Sequence, residues 1–295
     1  MLVQQLFNGA VTGASYALFA LGLTLIFGMH RILNFAHGAV FMWGALIGLY
    51  AVLYAGLSLP LAFLCGILGG AFVSVMLDLL VFRPLRRRHG DELSTIVASI
   101  GASLVLLNGA QQLTGADTLR YPFGVFPLAF YQLGGVKVSS EQIVILLTVA
   151  VLLIALVIYL YRTPLGIEVR AVSVDEKTST LLGVRPGRVY FQTFALTGAL
   201  AGAAGVILGI TFNSVSYTMG EGIMLQGFVV IILGGLGSIP GTVIASLIIG
   251  VVQSLTVAYV STELSDAILF GILFVILMVR PNGFFSGLHV EHRVA

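Results

Sequence analysis

QIVILLTVAVLLIALVIYLY (142 to 161), followed at once by RTPLGIEVRAVSVDEKTSTLLGVRPGR (162 to 188), decides the fold. The first stretch carries no charge, and as a helix of that length it rises about 30 Å, the thickness of a bilayer hydrocarbon core. The second is a polar island that alone holds five of the fourteen Lys and Arg residues. A membrane span therefore delivers a basic loop to one aqueous face, where a partner can touch it.

Outward from this pair the pattern repeats. The 295 residues are 58% hydrophobic and 9% charged, with a mean hydropathy of +1.07, which excludes a soluble chain. The apolar runs lack the period-two alternation of a membrane barrel, so the expected fold class is all-α, a polytopic membrane helix bundle. Spans are expected near residues 3 to 29, 39 to 58, 60 to 82, 93 to 114, 142 to 161, 189 to 212, 219 to 236, 240 to 260 and 267 to 279. That gives nine, or eight if 219 to 236 is re-entrant, in one domain over residues 1 to 295. No Lys or Arg precedes Arg31, so the first run reads as a span and not a removable signal peptide.

Charge sets the expected orientation. With the loops at 83 to 92 and 162 to 188 inside, twelve of the fourteen basic residues are cytoplasmic, including Arg31, Arg280 and Arg293. The N-terminus is then outside and the C-terminus cytoplasmic. Only Arg120 and Lys137 fall outside, in a loop from 115 to 141 whose aromatics (Tyr121, Phe123, Phe126, Phe130, Tyr131) suit an interfacial belt or a partner surface. A net charge of +2 gives no nucleic-acid partner, and the lone Cys65 allows no intramolecular disulfide.

Glycines four apart (Gly9 and Gly13, Gly44 and Gly48, Gly66 and Gly70, Gly198 and Gly202, Gly205 and Gly209) let helices approach closely, within the chain or at a subunit interface. Intramembrane charge is confined to Asp78, five residues before Arg83. Pairing with Arg83 or its neighbours accounts for it, the alternative being a proton relay.

Two chain breaks are candidate pathway elements: HRILNFAHG (His30 to Gly38, with Asn34, Phe35, His37 and Gly38) and GGLGSIPG (Gly234 to Gly241, with Gly234, Gly235, Gly237 and Ser238 as a possible gate). A plain tight turn is the alternative for each. Their places near the two ends of the chain suggest inverted repeats. His37 has no carboxylate or thiol beside it, so no metal is expected. GxxxxGK[ST], HExxH and GxSxG are all missing, so any ATPase is another polypeptide. After Gly166 a short amphipathic helix is expected to gather Val169, Ala171, Val172 and Val174 near one side, and Leu181-Leu182-Gly183 gives it an apolar end and a stop.

These motifs carry a resemblance. ALGLTLIFGMHRILNFAHGAVFMWGA (20 to 45), FRPLRRR (82 to 88), LSTIVASIGASLVLLNGAQQLTG (93 to 115), TPLGIEVRAVSVDEKTSTLLGV (163 to 184), GGLGSIPGTVIA and RPNG together resemble the membrane permease subunits of branched-chain amino acid ABC importers, of the LivH type, nearly end to end. The resemblance implies that Arg170, Ala171, Asp175 and Gly183 match the family's ATPase-coupling motif. It also implies that Asn34, Phe35, Ala36, His37 and Gly38 match its NFAHG break near the translocation pathway. The implied partners are a sister permease, two ATPase subunits that hold ATP and magnesium, and an extracytoplasmic substrate-binding protein. The implied location is the bacterial inner membrane. Two departures stand out. Thr178 and Ser179 occupy positions where the family usually has a pair of alanines, and Leu79 follows Asp78 where relatives often carry an acid followed by Arg.

On this reading the chain is a transport subunit, not an enzyme, and holds no cofactor itself. Relatives carry urea, short amides or small aromatic carboxylates, so these stand as alternative substrates. An ion-coupled secondary transporter and a structural membrane subunit are the alternatives of other classes.

Overall fold

The computed structural model describes residues 1–30, 33–88, 90–122, 129–133, 136–280 and 283–284. Arg31, Phe123, Phe126 and Arg293, named above, lie outside the described residues, as do Pro281 and Asn282 of RPNG.

Twelve α-helices make up the described bundle: α1 (Leu2–His30), α2 (His37–Leu53), α3 (Leu59–Leu77), α4 (Arg83–Arg87), α5 (Glu92–Thr114), α6 (Ser140–Arg162), α7 (Pro164–Val174), α8 (Glu176–Leu181), α9 (Pro186–Thr211), α10 (Met219–Gly234), α11 (Ile239–Tyr259) and α12 (Ser265–Val279). A π-helical turn, Asp78–Phe82, joins α3 to α4, so that Leu59–Arg87 runs as one long helix. Six helices are long and apolar enough to cross a membrane, and α2, α10 and α12 are shorter apolar helices of 17, 16 and 15 residues. Proline in the first turn starts α3, α4, α7, α9 and α11, where its missing N–H would be unpaired in any case.

The all-α expectation needs one correction. Within the 115–141 loop, β1 (Phe130–Leu133) and β2 (Val136–Ser139) form an antiparallel hairpin with Phe130 opposite Ser139 and Leu133 opposite Val136. The hairpin is tied to α1, because Gln4 Oε1 accepts from the Lys137 amide at 2.8 Å and Gln4 Nε2 donates to the Lys137 carbonyl at 2.9 Å. Pairing satisfies backbone groups that a bare loop would leave to water.

Two three-helix units, α1–α2–α3 and α9–α10–α11, build the core. Each third helix opens on the same signal, Ser58-Leu59-Pro60 in one and Ser238-Ile239-Pro240 in the other. The units exchange partners: α1 packs antiparallel on α11, with Gly9 and Gly13 against Val251, Ser246 and Gly250, while α3 packs antiparallel on α9, with Gly66 and Gly70 against Gly202 and Gly198. A Cβ on Gly202 would sit 2.3 Å from the Gly66 carbonyl oxygen, so these backbones are in direct contact. The glycines four apart are thus used inside this chain, where close approach strengthens dispersion contacts that lipid cannot supply.

This arrangement also corrects the repeat. The internal counterpart of the Leu33–Gly38 break is the segment before α10, since Gly38 and Gly220 meet backbone to backbone. The turn at Gly234–Ser238 instead matches the Tyr54–Ser58 turn between α2 and α3. Hydrogen bonds pin the seams: Thr24 to Thr242 at 2.7 Å, Tyr16 to Gln253 at 2.7 Å, and Trp43 Nε1 to the Leu106 carbonyl at 3.0 Å.

Candidate functional site

The polar island folds into two short helices with defined caps. Thr163 accepts from the Gly166 amide at 3.1 Å and starts α7, and Gly166 fits because a Cβ there would lie 2.1 Å from the Tyr159 carbonyl oxygen. The buried face of α7 is Gly166, Val169 and Val172, and the helix packs onto α6, α1 and α9. Val174 does not join it. At 77% exposure it points away, since it lies two residues past Val172 and off the buried stripe.

Asp175 is extended and caps α8. Its Oδ1 accepts from the amides of Lys177 at 2.9 Å and Thr178 at 3.3 Å, and its other oxygen accepts from the Thr178 hydroxyl. The Ser179 hydroxyl donates to the Asp175 carbonyl at 2.7 Å. Thr178 and Ser179 therefore reinforce the cap with their hydroxyls. These bonds, the Thr178 hydroxyl first, hold the Asp175 carboxyl below the usual carboxylate range. Gly183 ends α8 at φ +91, a conformation that other residues rarely adopt. Leu181 and Leu182 beside it are 87% and 81% exposed, a bare apolar tip on a polar loop. Arg170 is exposed over the Tyr161 ring at 4.8 Å, and Ala171 is half-buried.

The break before α2 is a second constellation. Buried Asn34 turns the chain by accepting from the Ala36 amide at 3.0 Å. Phe35 donates its amide to Ser99 of α5 at 3.2 Å and its ring meets Phe228 of α10 edge to face. His37 is wholly buried, its Nε2 3.3 Å from the Phe19 carbonyl oxygen and its ring against Phe19. α1 closes over it at Gly22, where an added Cβ would meet the imidazole ring. Phe35 and Gly38 line a cavity of about 290 Å³ between α2, α5 and α10. Met42, Tyr217 and Phe228 add to its wall, and Glu221 is its only carboxylate.

Gly234, Gly235, Gly237 and Ser238 form the α10–α11 turn apart from that cavity. Gly235 and Gly237 have φ of +91 and +84, and the Ser238 hydroxyl accepts from the Gly241 amide at 3.2 Å. Sequence reading missed Tyr217, Gly220 and Glu221, whose place depends on the head-to-head meeting of α2 and α10. Among the described residues no group of three His, Cys, Asp or Glu is placed to hold a metal.

Residues 5–277 match the family described as branched-chain amino acid transport system, permease component. The chain belongs to this family. It is 31% identical to the high-affinity branched-chain amino acid transport permease LivH of Salmonella typhimurium, over 98% of this chain and 97% of that one. The same identity and coverage hold for BraD of Pseudomonas aeruginosa. LivM of Escherichia coli is 26% identical, over 91% of this chain and 67% of its own length. A solved inward-facing ABC transporter of metal-chelate type shares the fold with a TM-score of 0.53 at 17% identity, over 92% of this chain and 85% of that one. The permease is a multi-pass transport subunit of the inner membrane.

Proposed function

We propose that this permease is one half of the membrane pore of a binding-protein-dependent importer for branched-chain amino acids, driven by separate ATPase subunits docked on the 162–188 loop. The carrying observation is the apolar tip of Leu181 and Leu182, left bare beside the well-capped start of α8. A rigid cap fixes the direction in which the tip projects, and such a tip seats in a groove on a partner. The N-terminus is outside, the C-terminus is cytoplasmic, and all nine apolar helices enter the membrane. α5 and α12 bury few residues, Ser99, Ala110 and Thr114 in one and Ser265 and Leu269 in the other, which suits contact with a sister permease of the LivM kind.

The cavity beside Phe35, Gly38 and Glu221 is read as a stretch of the passage. Its apolar wall suits a branched side chain, and the carboxylate of Glu221 suits an ammonium group. The ion-coupled reading has less support, because Asp78 is already paired with Arg86.

The docking reading is tested by replacing Leu181 and Leu182 together with Asp. These exposed positions leave folding intact, so the expected result is normal membrane insertion with loss of ATPase co-purification. Asp175→Arg, which reverses charge at the cap, is expected to abolish uptake as well. Normal ATPase association in the double Leu variant would count against docking at this tip.

A further inference from the structure

Four side chains on three separate segments form a connected chain at the end of the bundle that carries the loop. The Tyr190 hydroxyl on α9 donates to Glu176 Oε2, the first residue of α8, at 2.7 Å. The guanidinium carbon of Arg86 lies 4.1 Å from the centroid of the same tyrosine ring. Arg86 Nη2 donates to Asp78 Oδ1 at 2.5 Å, and Asp78 opens the π-helical turn. One turn further along α9, the Phe194 ring meets Phe82, the last residue of that turn, at 5.2 Å.

We propose that Glu176, Tyr190, Arg86 and Asp78 act as a relay that carries displacement of α8 to the π-helical turn below α3, which makes Tyr190 and Arg86 positioning residues for transport. This rests on the importer reading, in which α8 faces the ATPases.

Connectivity alone links α8 only to α7 and α9. The relay adds a tie to the α3–α4 helix, whose π-helical turn in turn packs on α5. α5 holds the Phe35 amide through Ser99 and lines the cavity through Ile100 and Leu104. A path of direct contacts thus runs from the start of α8 to the break before α2. The π-helical turn suits the task, because its i to i+5 bonding interrupts the α ladder and lets the helix rotate or bend there at lower cost. Arg86 Nη1 is buried and without a hydrogen-bond partner among the described residues. A buried donor left unpaired favours an arrangement in which it gains an acceptor, which gives the joint a second position to move toward.

The test uses the whole assembly, with the sister permease and ATPases in liposomes of phosphatidylethanolamine and phosphatidylglycerol, and measures radiolabelled leucine delivered per ATP hydrolysed. Tyr190→Phe keeps the ring under Arg86 and removes the hydroxyl that donates to Glu176. Its expected ratio is lower by about fivefold, the low end of coupling between sites, with ATP hydrolysis retained. Glu176→Ala, at an exposed position, is expected to lower the ratio likewise, and Glu176→Gln, which keeps an acceptor oxygen, to restore it.

An unchanged ratio in Tyr190→Phe and Glu176→Ala would overturn the relay even if either variant melted earlier. Failure of the unmodified complex to hydrolyse ATP or take up leucine would instead strike the importer reading, and the relay with it.

Discussion

Oδ1 of Asp78 lies 2.5 Å from Nη2 of Arg86, and the carboxylate is only 2% exposed. A buried charge of this kind is tolerated because its partner is present, and removing one member strands the other. Arg86→Met is therefore expected to destabilise the permease by about 3 kcal/mol, the lower end for a broken buried pair because Arg86 keeps some access to water. Asp78→Asn retains an acceptor and costs less. Thermal unfolding in detergent, followed by loss of the monodisperse species, measures both. Equal melting of Arg86→Met and the parent would show that the pair contributes nothing.

Gly202 sits where α3 and α9 touch. Alanine there puts a methyl group 2.3 Å from the Gly66 carbonyl oxygen, a backbone atom that cannot swing aside. Overpacking of this sort costs about 1–3 kcal/mol. Gly271 on α12 has nothing within 4 Å, so Gly271→Ala is expected to be neutral or to stabilise slightly through better helix propensity. Melting temperatures in detergent should separate the two, and a Gly202→Ala variant as stable as Gly271→Ala would contradict the close packing.

The cap on α8 is pH-dependent with a definite sign. Hydrogen bonds from Thr178 and Lys177 depress the Asp175 carboxyl in the folded chain relative to the unfolded one. The charged cap's contribution is thus fully present above the ordinary carboxylate pKa and lost as pH falls through the depressed folded value. ATPase association with the loop is expected to be flat from neutral pH down to the carboxylate range and to weaken below it. Asp175→Asn retains a capping oxygen without the titration and should flatten the acid limb that Asp175 contributes. Association that weakens between pH 8 and 6 in the parent would point to some other group.

Much of this fold was legible from hydropathy. The apolar runs marked the helices, and Leu181-Leu182-Gly183 marked a stop, although the one helix expected after Gly166 is divided at Asp175 into α7 and α8. The hairpin was missed because four-residue strands carry little periodic signal. The pairing of Gly38 with Gly220 was missed for a different reason. It depends on two helices that start inside the bundle and meet at their N-terminal ends, a tertiary relation that no local pattern encodes. Glu221 went unremarked with it, as an acid in the first turn of a helix ordinarily needs no further account. The pairing of Asp78 with Arg83 or its neighbours was legible, and the partner is Arg86, eight residues on and across the π-helical turn.

The most direct test of the central claim is ATP hydrolysis by the complete assembly in liposomes, with binding proteins loaded with leucine, urea or an aromatic acid added outside. Stimulation by the leucine-loaded protein is the expected result. Stimulation only by urea or an aromatic acid would keep the importer and change its substrate, whereas failure of this chain to assemble with any ATPase would contradict the account.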